Sequence, residues 1–101
     1  MIRLSLIIPT HNRAGQLLAA LESVVRQDMP AGEWECVVVN NNSTDDTPAR
    51  FAAFAARYPA LNLRMVTETG PGVSYARNRG IAETSAAVMV TVCVPALAGM
   101  A

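Results

Sequence analysis

Three clusters of polar, turn-forming residues follow directly on apolar runs in the first eighty residues of this chain. The clusters are residues 9–13 (PTHNR), 40–46 (NNNSTDD) and 67–72 (TETGPG). Their hydroxyl, amide and imidazole groups could bind the edge of a polar ring or, at a helix N-terminus, an anion. Arg77 and Arg79 follow the third cluster, and a Gly-rich loop leading into an Arg-bearing helix could hold a phosphate group. Gly70-x-Gly72 lacks the third glycine of a dinucleotide fingerprint.

Each cluster also has a purely structural interpretation. Asn12 could cap a helix, with Thr10 in a turn, as readily as either residue could bind a ligand. The triple asparagine could form a turn that tolerates left-handed backbone, although Asn40 and Asn42 are the better candidates for ligand contact. Capping is the favoured interpretation of residues 43–46. His11 has no companion at metal-ligand spacing, so we expect it to face solvent.

The apolar runs predict four strands, over residues 4–8, 34–39, 61–67 and 87–94. Helical spacing of apolar residues predicts three intervening helices. These are one capped by Asn12 and ended by residues 29–32, one with Thr47 as N-cap that stops at Pro59, and one over about 74–82. Helices between strands imply an α/β fold, a Rossmann-like βαβαβαβ three-layer sandwich with a mostly parallel sheet. Ligands bind beyond the carboxyl ends of such strands, so the three clusters should converge on one edge.

Composition narrows the class of protein. The chain has 101 residues, of which 51% are hydrophobic and 16% charged, so we expect one small domain, residues 1–101. A formal net charge of zero gives no argument for nucleic acid or an anionic membrane as partner. Cys36 and Cys93 lie in apolar runs and are expected to be buried, reduced thiols. No signal-peptide pattern develops, and the apolar run over 86–101 is broken by Pro95 and Gly99. We therefore expect a cytoplasmic protein without a transmembrane segment.

Three segments resemble the N-terminal motifs of family 2 glycosyltransferases. The segments are SLIIPTHNR (5–13), VVVNNNSTDDT (37–47) and GVSYARNRGIA (72–82), in the family's order and spacing. The resemblance spans residues 3 to about 84, and the residues after that point diverge. It implies a GT-A fold, a nucleotide-diphosphate sugar as partner and transfer of the sugar to an acceptor hydroxyl. The chain would then be the N-terminal, nucleotide-binding half of such an enzyme, a truncated GT-A fold.

The resemblance also implies roles for particular residues. The nucleotide-binding residues would be Pro9, Thr10, Asn12, Asn40, Asn42 and Arg77. The first three match the segment that borders the nucleobase. Asn40 stands where the family usually has an Asp that accepts a hydrogen bond from the base, and an Asn carbonyl can still accept it without charge. Asn42 would lie beside the ribose, and Arg77 near the base and the diphosphate.

The chain departs from the family pattern after residue 82. The family continues through an apolar strand into an acidic element that holds a divalent metal, Mg or Mn, on the diphosphate. Here no Asp or Glu follows Glu83. We therefore expect this chain to lack the metal ligands and the catalytic base, and to be inactive alone, whether through truncation, frameshift or as a natural short form. The alternative is a non-catalytic nucleotide-binding or interaction module of the same Rossmann-like fold.

The last predicted strand, over 87–94, carries a further expectation. Valines alternate there with Met89, Thr91 and Cys93, so both faces of the strand are largely apolar. Such a strand is suited to cover on both faces. Without that cover we expect self-association through it.

Overall fold

A computed structural model describes residues 2–26, 30–70, 72–84 and 88–91 of the chain. Its strands and helices alternate along the chain. They are β1 (Leu4–Thr10), α1 (Ala14–Val24), β2 (Trp34–Asn41), α2 (Thr47–Ala56), β3 (Leu63–Glu68), α3 (Val73–Ala82) and β4 (Val88–Thr91), with a short 3-10 helix at Ala31–Glu33 before β2.

The described strands form one parallel sheet with the order β3-β2-β1-β4. The predicted α/β fold with a parallel sheet is therefore confirmed. β1 and β2 occupy the centre of the sheet, and almost all of their residues are buried. Unbroken apolar runs are typical of strands that are covered on both faces in this way. Thr10 is the register partner of Asn40, and Asn41 is the partner of Glu68. The carboxyl ends of the first three strands therefore lie at one edge.

Two helices cover one face of the sheet. The core on that face joins Leu6 and Ile8 of β1 and Cys36 and Val38 of β2 to apolar residues of both helices. The contributing helix residues are Leu17, Leu21, Val24, Phe51 and Phe54. The pKa of the Cys36 thiol is raised to about 12, mainly by burial and also by the negative charge of Glu35. Cys36 is therefore a buried, neutral thiol, in agreement with the expectation that it is buried.

The third helix covers the opposite face at very short range. Ala76 of α3 is fully buried against Ile7, Val37 and Val39 of the two central strands. A Cβ built on Gly80, one helical turn later, would collide with the Ile7 side chain, lying 3.3 Å from its Cβ and closer still to its Cγ2. The small side chains at these two positions let the α3 backbone approach the sheet closely.

The strands are longer or shorter than their apolar runs. β1 continues through Pro9 to Thr10, so the prediction that Pro9 ends the strand is wrong. The described part of β4 pairs with β1 only as far as Ile7, two residues before Pro9. Pro9 has no N–H to donate, and a proline is tolerated where a strand has no paired neighbour on one side. β2 likewise includes Asn40 and Asn41, because pairing with β1 and β3 continues into the polar cluster. β3 is shifted at both ends, to Leu63–Glu68.

Both predicted helix starts need correction. Arg13, not Asn12, occupies the N-cap position of α1 and makes no side-chain capping bond, since the Asn12 side chain is bonded elsewhere. α2 begins one residue early, at Thr47, with Asp46 at its N-cap position. α1 ends at Val24, before the predicted stop, and α2 ends at Ala56.

The prediction for the C-terminal strand falls partly outside the described residues. Val88–Thr91 form β4, parallel to β1, whereas residues 92–101, and with them Cys93, lie outside the described ranges. Self-association through this strand stays a prediction. Within the described ranges no helix is long and apolar enough to cross a membrane.

The close approach of α3 predicts opposite effects of alanine at two helical glycines. Gly80→Ala should lower the free energy of unfolding by about 1–3 kcal/mol, because its Cβ overpacks against Ile7. Gly15→Ala in α1, where a Cβ would meet nothing within 4 Å, should be neutral or stabilise by up to about 1 kcal/mol. Urea unfolding of both variants measures this. An equally stabilising effect at both positions would contradict the packing of α3.

Candidate functional site

The ends of β1 and β2 form the centre of the candidate site. Thr10 and Asn40 are register partners in adjacent strands, and both are almost fully buried. Because side chains alternate along a strand, these two lie on the face covered by α1 and α2, in line with Ile8 and Val38. Asn41, the next residue of β2, lies on the α3 face. The prediction that the strand ends converge is confirmed for Thr10 and Asn40.

Asn12 ties the loop after β1 to the loop after β2. Its side-chain oxygen accepts hydrogen bonds from the backbone N–H groups of Thr44 (2.7 Å) and Asp45 (3.2 Å). Its own backbone N–H donates to the Ser43 hydroxyl at 3.0 Å. Asn12 adopts a left-handed conformation (φ 51°), which asparagine tolerates better than most residues. The residue predicted to border a base thus has its carbonyl oxygen engaged in joining two loops.

The Asp45 carboxylate lies where two helices begin. It accepts hydrogen bonds from the Thr47 backbone N–H at 3.1 Å and the Thr47 hydroxyl at 2.5 Å, and the backbone N–H of Ala14 lies near enough to contribute to lowering its pKa. The Thr47 hydroxyl is the main cause that lowers the pKa of this carboxyl. Asp45 therefore binds a free N–H at the start of α2 from the position before the N-cap residue, Asp46, which makes no side-chain capping bond. The start of α1, which suits an anion from outside, therefore already has a carboxylate of the chain itself.

Asn41 and Asn42 hold the loop after β3 in place. The Asn41 amide donates to the carbonyl oxygens of Glu68 (3.1 Å) and Gly70 (2.8 Å). The Asn42 amide donates to the carbonyl of Thr69 at 3.2 Å. Three successive carbonyls of the third cluster are thus bound by consecutive side chains of the second. Asn42 has φ 61°, which the predicted asparagine turn accounts for.

Several polar groups at this edge have no partner among the described residues. The Thr10 hydroxyl is buried and makes no hydrogen bond there. The side-chain oxygen of Asn41 accepts no bond, since both of its contacts run through the amide nitrogen. Asn40 uses its side-chain oxygen to accept from the Ser43 N–H at 3.1 Å, which leaves its amide nitrogen as the open donor. Open donors and acceptors therefore lie at the ends of β1 and β2, those of Thr10 and Asn40 on the α1 and α2 face of the sheet and that of Asn41 on the α3 face.

His11 is exposed, as expected, but it is fixed in orientation. Its Nδ1 lies 2.7 Å from the backbone carbonyl oxygen of Asn41, so this nitrogen donates a proton to that carbonyl. The other ring nitrogen, Nε2, lies 3.5 Å from the side-chain nitrogen of Asn12. The imidazole thus joins the loop after β1 to the end of β2.

Arg77 is not brought into contact with the buried pair. It lies exposed on α3, on the opposite face of the sheet from the side chains of Thr10 and Asn40, and it has no ion-pair partner among the described residues. Arg79 by contrast pairs with Glu68 (3.8 Å) and Glu83 (3.0 Å). Hydrogen bonds from Arg79, and then from Arg64, lower the pKa of the Glu83 carboxyl. Of the two arginines, Arg77 is the one free to meet a phosphate.

No cluster suited to a metal ion occurs in the part of the chain that the structure describes. At no place there do three or more His, Cys, Asp or Glu side chains come together. Two carboxylates near the strand ends already have partners within the chain: Asp45 accepts from N–H and O–H donors, and Glu68, the last residue of β3, accepts from the Gly70 N–H and pairs with Arg79. The described residues therefore do not fit a divalent metal site.

Asn41 is the site residue that the sequence pattern did not single out. The pattern favoured Asn40 because it appeared to be the first residue after the strand. Strand pairing continues through Asn41, however, and it is this residue that holds the loop after β3 and keeps an open acceptor. Strict alternation along β2 would have placed the two neighbours on opposite faces.

The position of Asp45 predicts an acid-dependent loss of stability. Its folded pKa is lowered from the ordinary value of 3.8, so its stabilisation is complete above that value and is lost as the pH falls through the folded pKa. Asp45→Asn should therefore be less stable than the parent near neutral pH and approach it in acid. The free energy of unfolding, measured from about pH 7 to about pH 3, tests this. Asp46→Asn, which removes a neighbouring exposed carboxylate without a capping bond, should leave the difference between the two pH values nearly unchanged.

Comparison with known proteins places these features in one family. The sequence model described as glycosyl transferase family 2 matches residues 5–92, which include all three polar clusters. A PGL/p-HBAD biosynthesis glycosyltransferase of Mycobacterium bovis is 42% identical over 79 residues, covering 76% of this chain and 29% of that protein.

Solved structures agree on the fold. The mannosyltransferase PcManGT from Pyrobaculum calidifontis, in complex with GDP-Man and Mn²⁺, superposes with a TM-score of 0.86 at 32% identity, over 91% of this chain and 27% of that one. S. aureus TarS 1-349, in complex with UDP-GlcNAc, gives a TM-score of 0.74 at 30% identity, over 92% and 26%. These neighbours have the GT-A fold, so the fold class implied by the motifs is confirmed.

The chain spans less than a third of the length of the curated relatives that it matches first. The match nevertheless extends over most of the chain and through every strand described above. The chain belongs to glycosyl transferase family 2.

Proposed function

We propose that this chain is the nucleotide-sugar-binding part of a glycosyltransferase that transfers a sugar to an acceptor hydroxyl. The observation that carries the proposal is the set of unpaired polar groups at the joined ends of β1 and β2, on a fold whose solved neighbours were obtained with GDP-Man and UDP-GlcNAc. The nucleotide would bind beyond the carboxyl ends of these strands, where parallel sheets place their ligands.

In this proposal every predicted site residue has a task, and Asn41 is added to them. The Thr10 hydroxyl and the Asn40 amide nitrogen meet polar atoms of the nucleoside, since both groups lack partners in the described structure. Asn41 offers the acceptor for a base N–H. Pro9, Asn12 and Asn42 shape the loops beside the nucleoside and ribose, two of them through backbone that asparagine tolerates. Arg77, exposed and unpaired, supplies positive charge for the diphosphate.

The described residues support nucleotide binding but provide no site for a metal ion. In this family a divalent ion, Mg or Mn, would neutralise the charge of the departing diphosphate. The described residues hold no carboxylate cluster for such an ion, so we assign no metal ligand and no catalytic base to this chain. We expect the 101 residues alone to bind the donor without completing transfer.

The same observation supports a second candidate function. A module that binds a nucleotide but performs no transfer would need the strand-end groups and no acidic cluster, which is what the described residues contain. Transfer activity separates the two candidates. A longer protein that continues this reading frame into an acidic pair should transfer sugar, whereas a module should only bind.

The unpaired Thr10 hydroxyl allows a test in which stability and binding change in opposite directions. Thr10→Val removes a buried hydroxyl without a partner, so the free energy of unfolding should rise by about 1 kcal/mol. The same change should weaken UDP binding about fivefold, because a hydrogen bond to the nucleoside is lost. Thr10→Ser keeps the hydroxyl and should retain affinity. A valine variant that binds UDP as tightly as the parent would remove Thr10 from the site.

The lack of an acidic cluster among the described residues predicts nucleotide binding that does not depend on a metal ion. UDP or GDP should bind with a dissociation constant of hundreds of micromolar or weaker, since Arg77 and backbone donors alone meet the diphosphate. Calorimetry in Mn²⁺ and in EDTA should give the same affinity within about twofold. A large gain with Mn²⁺ would show that residues outside the described ranges complete a metal site. Failure of both nucleotides to bind would contradict the proposed function.

A further inference from the structure

We propose that Tyr75 is a stacking platform for the base of the bound nucleoside diphosphate. The proposal rests on the proposed function and goes beyond it, because no motif of the family resemblance assigns this residue a role. Tyr75 lies near the start of α3, and the residue is 55% exposed. It is the only large aromatic side chain among the described residues that is exposed to this degree.

The tyrosine ring is held against the loop that follows β3. A Cβ built on Gly70 would lie 2.6 Å from the Tyr75 Cγ and closer still to its Cδ1, so the ring packs directly on the glycine backbone. Gly70 has no positive φ that would require glycine. The close approach of the ring is therefore what excludes a side chain at this position. One side of the ring is supported in this way, while much of the remainder is open to solvent.

The same loop connects the ring to the centre of the site. The Gly70 carbonyl accepts a hydrogen bond of 2.8 Å from the Asn41 amide, and the Gly70 N–H donates to the Glu68 carboxylate at 2.7 Å. Glu68 in turn pairs with Arg79 of α3 at 3.8 Å. Tyr75 and Asn41, which carries the open acceptor, therefore both contact Gly70. A planar base that hydrogen-bonds Asn41 would lie within reach of the phenol ring.

The chemistry of stacking defines which ligands the platform would favour. Every nucleobase has a π face, so an aromatic ring stabilises purines and pyrimidines alike and adds affinity without choosing between them by hydrogen bonds. Tyr75 would therefore raise affinity for nucleoside diphosphates of either type over a base-free diphosphate.

Another residue of α3 provides a matched control. Ile81 is also a large apolar side chain exposed on this helix, at 44%, but it lies in the last turn, away from the strand ends. Ile81→Ala removes a similar exposed apolar surface and should leave nucleotide affinity unchanged. Tyr75→Phe keeps the ring and should bind within about twofold of the parent.

The test measures UDP and GDP binding to the 101-residue chain by calorimetry. Tyr75→Ala should weaken both nucleotides about tenfold, because stacking on one aromatic ring is lost. Inorganic pyrophosphate, which has no base, should displace UDP from the alanine variant at least as easily as from the parent. The parent should also show magnetisation transfer between the Tyr75 ring protons and the H5 and H6 protons of uracil.

A double-mutant cycle separates stacking from a general effect on the fold. Gly70→Ala should displace the ring and weaken UDP binding, yet the same change should have little further effect once Tyr75 is alanine. Additive losses, or a Tyr75→Ala variant within twofold of the parent, would overturn the platform while leaving the proposed function intact. A parent chain that binds neither nucleotide would overturn both.

Discussion

The parallel register of β1 on β2 is the constraint on which both the core and the candidate site depend. Pairing runs from Leu4 with Trp34 to Thr10 with Asn40, over the whole length of β1. A slip of one residue would move every side chain to the other face. Ile8 would then lose its place between the sheet and α1, and Thr10 would point toward α3. The polar edge is therefore a consequence of the same pairing that buries the apolar runs.

The loops at this edge are held mainly by side chains bonded to backbone groups. Asn12 joins the loop after β1 to the start of the segment before α2, and Asn41 and Asn42 hold the carbonyls after β3. Loops carry backbone groups that a sheet no longer pairs, and these amides satisfy them. Since much of the polar chemistry among the described residues stabilises the loops, two groups that it leaves open are informative: the buried, unpaired Thr10 hydroxyl and the Asn41 side-chain oxygen, whose amide nitrogen makes both of its bonds.

The order of elements and their faces could be predicted from the sequence, because apolar periodicity reports burial directly. Phe51 and Phe54, for example, are buried as the helical spacing required. The boundaries could not, since strand pairing carried Pro9, Asn40 and Asn41 into strands that their residue types oppose. The prediction that Asn12 caps α1 was also wrong because long-range contacts override local residue preference. Asn12 has suitable chemistry for a cap, but its bonds are made to a loop about thirty residues away, and no local pattern contains that information.

The amide at position 41 has a physical consequence that a carboxylate could not reproduce. Both of its bonds end on carbonyl oxygens, of Glu68 and of Gly70, so the side chain must donate. A carboxylate only accepts hydrogen bonds, and it would face the same two oxygens with a negative charge. The conformation of the loop after β3 therefore depends on an asparagine at position 41. The packing of the Tyr75 ring on Gly70 depends on it as well, because Gly70 belongs to this loop. The cost is a neutral acceptor toward a ligand, where a charged one would bind a base N–H more strongly. In this chain the loop and the strength of base recognition are set by the same side chain.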